Sequence, residues 1–178
     1  MLGLILLGLL CACGEPVELK LEEPLAPPTS GCGDAGDAVA SLYGSIETHI
    51  AWSADDMACD SMQRPNGRGV RLQFVGDASG ERLAIIIALP ELNREDIAVE
   101  VPSNVTVTVE GSGRFFSTSN LDACWTEVIS QTKLVDDGDA YALEAILFCI
   151  SPLGEINGDA AVSIPEFSFS TIVNWNGK

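Results

Sequence analysis

The chain has 178 residues, with 26 Asp and Glu against 9 Lys and Arg, one histidine and a formal net charge of −17. So acidic a surface repels phosphate backbones and anionic headgroups, which excludes nucleic-acid binding and a polybasic membrane patch. Its 47% apolar content is too high for a disordered chain, and no apolar run reaches the ~18–20 residues of a membrane-spanning helix.

Leu2 to Leu10 is an unbroken run of Leu, Ile and Gly, closed by Cys11, Ala12 and Cys13. A short apolar run ending in small residues reads as an export signal rather than a stable anchor. The segment Leu10-Cys11-Ala12-Cys13 resembles the lipobox of bacterial lipoproteins. That resemblance implies a signal peptide over residues 1–12, cleaved before Cys13, whose sulfur carries a diacylglycerol and whose amine is acylated. Cys11 fits less well, because bulky Leu10 would stand where the family needs a small residue. Two or three acyl chains, each contributing ~0.8 kcal/mol per buried CH₂, would hold Cys13 in a lipid bilayer. Gly14 rather than Asp follows that cysteine, which in a two-membrane bacterium implies a cell-envelope address at the outer membrane.

Residues 13–30 continue as a tether. The stretch GEPVELKLEEPLAPPTS carries Pro16, Pro24, Pro27 and Pro28 among like-signed glutamates, a composition that stays extended and solvated. At ~3.1 Å per residue its reach is on the order of 50 Å. Residues 31–178 remain for one folded domain.

That domain reads as all-β. Gly33 to Leu42 is assigned its one short helix. Ser45 to Trp52 alternates Ile46, Thr48, Ile50 and Trp52 against Glu47, His49 and Ala51, and Val70 to Phe74 alternates likewise. Arg82 to Leu89 is a continuous apolar run of strand length. Val105, Val107 and Val109 alternate with Thr106, Thr108 and Glu110. Cys124 to Thr132, Tyr141 to Ile150 and Phe167 to Trp175 keep the same two-residue period. Turn chemistry separates them at Pro65-Asn66-Gly67, Asp77 to Gly80, Gly111 to Gly113, Asp136 to Asp139 and Asn157-Gly158. Seven to nine short strands with regular turns predict a single antiparallel β-sandwich or barrel-like domain.

Four cysteines fall in the domain: Cys32, Cys59, Cys124 and Cys149. In an exported chain an even count predicts two disulfides, with three connectivities open. Proximity in sequence favours Cys32–Cys59 and Cys124–Cys149. The spacing lacks CxxC and there is one histidine, so zinc is not indicated.

Catalytic signals are few. There is no GxSxG elbow, and any Ser or Cys triad would have to use His49 as its base. His49 faces away from the Ile46/Ile50 side, as a solvated strand residue does. Trp52, Trp125 and Trp175 fit strand periodicity and are expected in the core. A carboxylate pair for glycoside hydrolysis arises by abundance among 26 acids but is not localised by sequence.

Glu155 to Glu166, EINGDAAVSIPE, resembles an EF-hand calcium loop. Glu155, Asn157, Asp159 and Glu166 occupy the ligand positions for a Ca²⁺ ion, although Ala160 replaces the turn glycine. The competing reading makes Asn157-Gly158 a type I′ hairpin turn between Ile156 and Ala161. Asp34 with Asp37, and Asp136, Asp137 and Asp139, are weaker acidic clusters of the same kind. No other cofactor is indicated. These features together predict a lipid-anchored, non-catalytic binding or presentation module. An accessory subunit of a cell-envelope assembly is the alternative, with Val105–Val109 offered to a partner protein if it lies at a sheet edge. A carboxylate hydrolase is the third reading.

Overall fold

The computed structural model describes residues 31–134 and 138–175. The lipobox, Cys13 and the tether lie outside the described residues, as do Asp136 and Asp137. Twelve strands follow one another: β1 (Asp37–Gly44), β2 (Thr48–Ser53), β3 (Met57–Gln63), β4 (Val70–Ala78), β5 (Glu81–Leu89), β6 (Val99–Val109), β7 (Arg114–Ser117), β8 (Cys124–Lys133), β9 (Ala140–Cys149), β10 (Leu153–Glu155), β11 (Ala161–Ser163) and β12 (Glu166–Asn174). A single 3-10 turn, Leu121–Ala123, precedes β8.

All pairings are antiparallel, and they form two layers joined at two corners. Sheet A runs β2-β1-β12-β9-β8 and ends on the first half of β6. Sheet B runs β3-β4-β5, then the second half of β6, then β7-β10-β11, and closes on the tip of β1. β6 changes sheet in mid-strand: Ser103 still faces Cys124 of β8, while Asn104 faces Ala88 of β5. β1 does the same, since Leu42 faces Thr48 whereas Tyr43 faces Ser163. Gly44 permits that corner. Its φ is +98°, and a Cβ there would lie 2.7 Å from the Ala161 carbonyl oxygen. Strands that bend from one layer into the other make the sandwich barrel-like.

The core lies between the layers. Phe74 of β4 meets Phe167 and Phe169 of β12 edge-on and tilted, with ring centroids 5.3 and 5.2 Å away. A second tie joins the layers where Trp52 of β2 lies against Gly76 of β4, its Nε1–H donating to the Asp77 carbonyl at 2.8 Å. The disulfides are Cys32–Cys59 and Cys124–Cys149. The first pins the segment before β1 to edge strand β3. The second joins residues directly opposite on β8 and β9.

Several expectations change. The segment expected as a helix is instead the approach to β1 and most of β1. Ala38, Ala40 and Leu42 are buried and alternate with outward Asp37, Val39 and Ser41, so a two-residue burial period overrides the helix preference of alanine. Strand β3, MACDSMQ, has no clean apolar alternation; sheet pairing and the disulfide hold it. Val105–Val109 is interior to sheet B, flanked by β5 and β7, so it offers no edge to a partner. The Asn157 turn exists but is not type I′. Asn157 has φ +64° while Gly158 is not left-handed, and β10 and β11 are joined by the five residues 156–160. The two-residue primed geometry occurs instead at Ser79-Gly80, φ +52° and +83°, between β4 and β5.

Candidate functional site

The residues read as calcium ligands take different places around the β10–β11 loop and β12. Glu155 ends β10 and accepts a 2.7 Å ion-paired hydrogen bond from Arg114 Nε. That guanidinium holds the Glu155 carboxyl below the usual carboxylate range. Asn157 and Asp159 are exposed on the loop, and Glu166 opens β12 opposite Phe148. Among the described residues no three His, Cys, Asp or Glu side chains gather as a metal centre would require. Asp34 is exposed before β1, and Asp37 faces Ser53 and Ser170 across the sheet. Asp139 accepts two hydrogen bonds from Arg94, at 2.7 and 3.0 Å.

A carboxylate hydrolase needs one acid with its pKa pushed up beside an ionised partner. The two described carboxyls with a resolved shift move the other way. Asp56 is held low by the Ser53 hydroxyl and backbone N–H, and Glu155 by Arg114. His49 Nδ1 lies 3.2 Å from Ser41 Oγ on the exposed face of β2 and β1. Extending the β1–β12 register by one residue puts Glu166 on the far side of Ser41, not behind the imidazole. The order is therefore not that of a triad, where the carboxylate orients the base.

Strand register assembles a different arrangement on the outer face of sheet A. One row crosses it from His49 through Ser41, Glu166, Phe148 and Trp125 to Pro102, one residue from each of six strands. Six strands at ~4.8 Å spacing make the row about 24 Å long. Towards its β6 end Trp125 and Phe148 stack, with ring centroids 5.8 Å apart and planes inclined by 28°. Both are half-buried, whereas Trp52 and Trp175 are core residues at 5% and 2% exposure. Trp125 therefore departs from its expected place. The signal was present in sequence: Glu127, two residues on, must share its face. Shallow grooves open at the two ends. One of about 250 Å³ lies by Tyr43 and His49, and one of about 330 Å³ by Leu121 and Trp125.

The next row holds Ile146, Glu127 and Glu100, and beyond it lies Glu144. Glu100 and Glu127 are directly opposite each other on β6 and β8. Like charges opposed in that way destabilise a sheet. No Lys or Arg neutralises them among the described residues of this face. Five of the six arginines belong to sheet B or its turns, Arg64, Arg68, Arg71, Arg82 and Arg114, while Arg94 lies on the loop from β5 to the sheet-A half of β6 and is taken up by Asp139. Sheet A carries only Lys133, in the last position of β8. The charge of the domain is thus divided between its layers.

A larger cavity of about 540 Å³ lies where the loop after β5 meets Trp175. Arg94 lies over the Trp175 ring at 5.3 Å while pairing with Asp139, and Gln131 Nε2 donates to the Asn93 and Asp96 carbonyls. These contacts fasten the loop to the ends of β8 and β12. No protein-family model, curated protein or solved structure matches this chain.

Proposed function

We propose that this chain is an exported, membrane-anchored lipoprotein whose folded part is a non-catalytic binding or presentation module. The pair of disulfides carries the export half of the reading, because such cross-links persist in oxidising compartments and rarely in the cytosol. The lipobox at Leu10–Cys13 supplies the anchor, and residues 13–30 give the domain its reach from the bilayer. The half-buried Trp125–Phe148 pair on an open sheet face supports the binding half, since aromatic anchors of this kind carry most interface energy.

The test is fractionation of bacteria expressing the full chain or its Cys13→Ser variant, with mass spectrometry of the N-terminal peptide. The expected result is a diacylglyceryl mass on Cys13 and a membrane-bound chain, with Cys13→Ser released. An unmodified Cys13 in a soluble chain overturns the anchor. Mild cross-linking and pull-down from the same membranes reads the binding half. A protein recovered in fixed ratio assigns the chain to a cell-envelope assembly as its accessory subunit.

A further inference from the structure

The geometry points to a specific use of sheet A: we propose that its outer face, at Trp125 and Phe148, docks an arginine- and lysine-rich segment of another protein. This rests on the reading of the domain as a binding module and names the surface and the chemistry of its partner.

Three observations converge on it. First, the aromatic pair lies on the outer face of β8 and β9, near one end of those strands, instead of in the core, with Ile146 beside it. An apolar centre ringed by polar groups is the anatomy of a docking patch. Second, the charged border of this patch is of one sign: Glu166 stands in the same row as the aromatics, and Glu100, Glu127 and Glu144 lie along one side of it. Third, Glu100 and Glu127 oppose each other across a strand pair with no described cation between them. The fold gains nothing from that placement, since like charges at ~5 Å across a ladder repel. An incoming guanidinium between the two carboxylates turns that repulsion into two attractions, while its planar face can stack on Trp125. With five of the six arginines on sheet B or its turns and the sixth paired with Asp139, the field of the domain orients such a partner towards sheet A before contact.

Fluorescence anisotropy of labelled octa-arginine against the full chain in detergent tests the proposal, with chitohexaose as a neutral glycan competitor. The double variant Glu127→Gln/Glu144→Gln removes two charges from sheet A, and Asp60→Asn/Glu81→Gln removes two from sheet B. Sheet A's variant should weaken binding about tenfold or more, and sheet B's by less than about twofold. Trp125→Ala, which leaves the charge unchanged, should also weaken it about tenfold, with far-UV circular dichroism confirming its fold. Glu127→Gln alone should raise the melting temperature at low salt while weakening binding. A merely structural role for the face predicts no such opposition. Equal losses from both charge pairs, or full binding by Trp125→Ala, would mean diffuse attraction to an acidic protein and overturn the site. Trp125-dependent binding of chitohexaose without octa-arginine binding would reassign the face to polysaccharide. Either failure leaves the lipid anchor and the cross-linking result of the preceding section standing on their own measurements.

Discussion

Gly76 makes the tie between the layers sensitive to a single methyl group. A Cβ at this position would lie 2.6 Å from Trp52 Cε2 and 2.7 Å from Cδ2, whereas carbon atoms settle at about 3.5–4.0 Å. Relief requires the indole to shift by roughly 1 Å. The ring is buried at 5% exposure, and its N–H is held by the Asp77 carbonyl at 2.8 Å, so the shift strains that hydrogen bond. Overpacking of this kind costs about 1–3 kcal/mol, and the weakened bond adds up to about 1 kcal/mol. Gly76→Ala should therefore destabilise the domain by about 1–4 kcal/mol and lower its melting temperature by about 3–12 °C. The sign should reverse once the ring is gone. Gly76 is not in the left-handed region, so in a Trp52→Leu background alanine has room. There it should stabilise by about 0.5–1 kcal/mol through the unfolded chain. Urea titrations of the four proteins, followed by far-UV circular dichroism, close the cycle. An equal cost in both backgrounds would refute the indole as the obstacle.

The two disulfides span 27 and 25 residues, so replacing either pair by alanines should cost about 3–4 kcal/mol on the chain-entropy account, read from denaturant midpoints. Arg114 depresses the Glu155 carboxyl, so its contribution is complete above the ordinary carboxylate pKa and fades as pH falls through the lower folded value. Glu155→Gln should accordingly lower the melting temperature at pH 7 and converge with the parent chain in acid. A constant difference down to pH 2–3 would remove the ion pair as the cause. Because Glu155 is committed to Arg114, EDTA and millimolar Ca²⁺ should give the same melt. A rise with Ca²⁺ would signal binding by mass action and restore the loop as a site.

Most of the fold was legible because burial leaves a period. Sequence assigned β4, β5, β6, β8, β9 and β12 from strict alternation or from an apolar run, and the neighbouring cysteines paired as proximity favoured. Three of the missed strands share a physical reason. β7, β10 and β11 have only three or four residues, too few to display a period, and they exist because the long strands on either side leave backbone groups to be paired. β1 was obscured by alanines, whose small side chains suit a buried strand as well as a helix. The candidate face was less legible still. Trp125 and Phe148 are 23 positions apart in sequence and become neighbours only through the β8–β9 register. Their nearness to Glu100 and Glu166 likewise needs the pairing of β6 with β8 and of β12 with β9.

The same register bears on why the chain is so acidic. Acidity serving solubility alone acts through net charge and places no demand on where acids and bases stand. The few cations would then be interspersed with the carboxylates, as in surfaces built for stability. Instead, Arg82 pairs with Asp77 and Glu110, Arg94 with Asp139, and Arg114 with Glu155. The pairs of Arg82 and Arg114 lie in sheet B, and that of Arg94 lies at the end of sheet A where β9 begins, away from its outer aromatic row. On the outer face of sheet A, Glu100 and Glu127 confront each other while arginines are deployed elsewhere in the domain. Exchanging either glutamate for lysine would remove the repulsion at once, and nothing in the packing of these outward side chains prevents it. The docking of a basic segment, as proposed for this face, would offset that repulsion on binding.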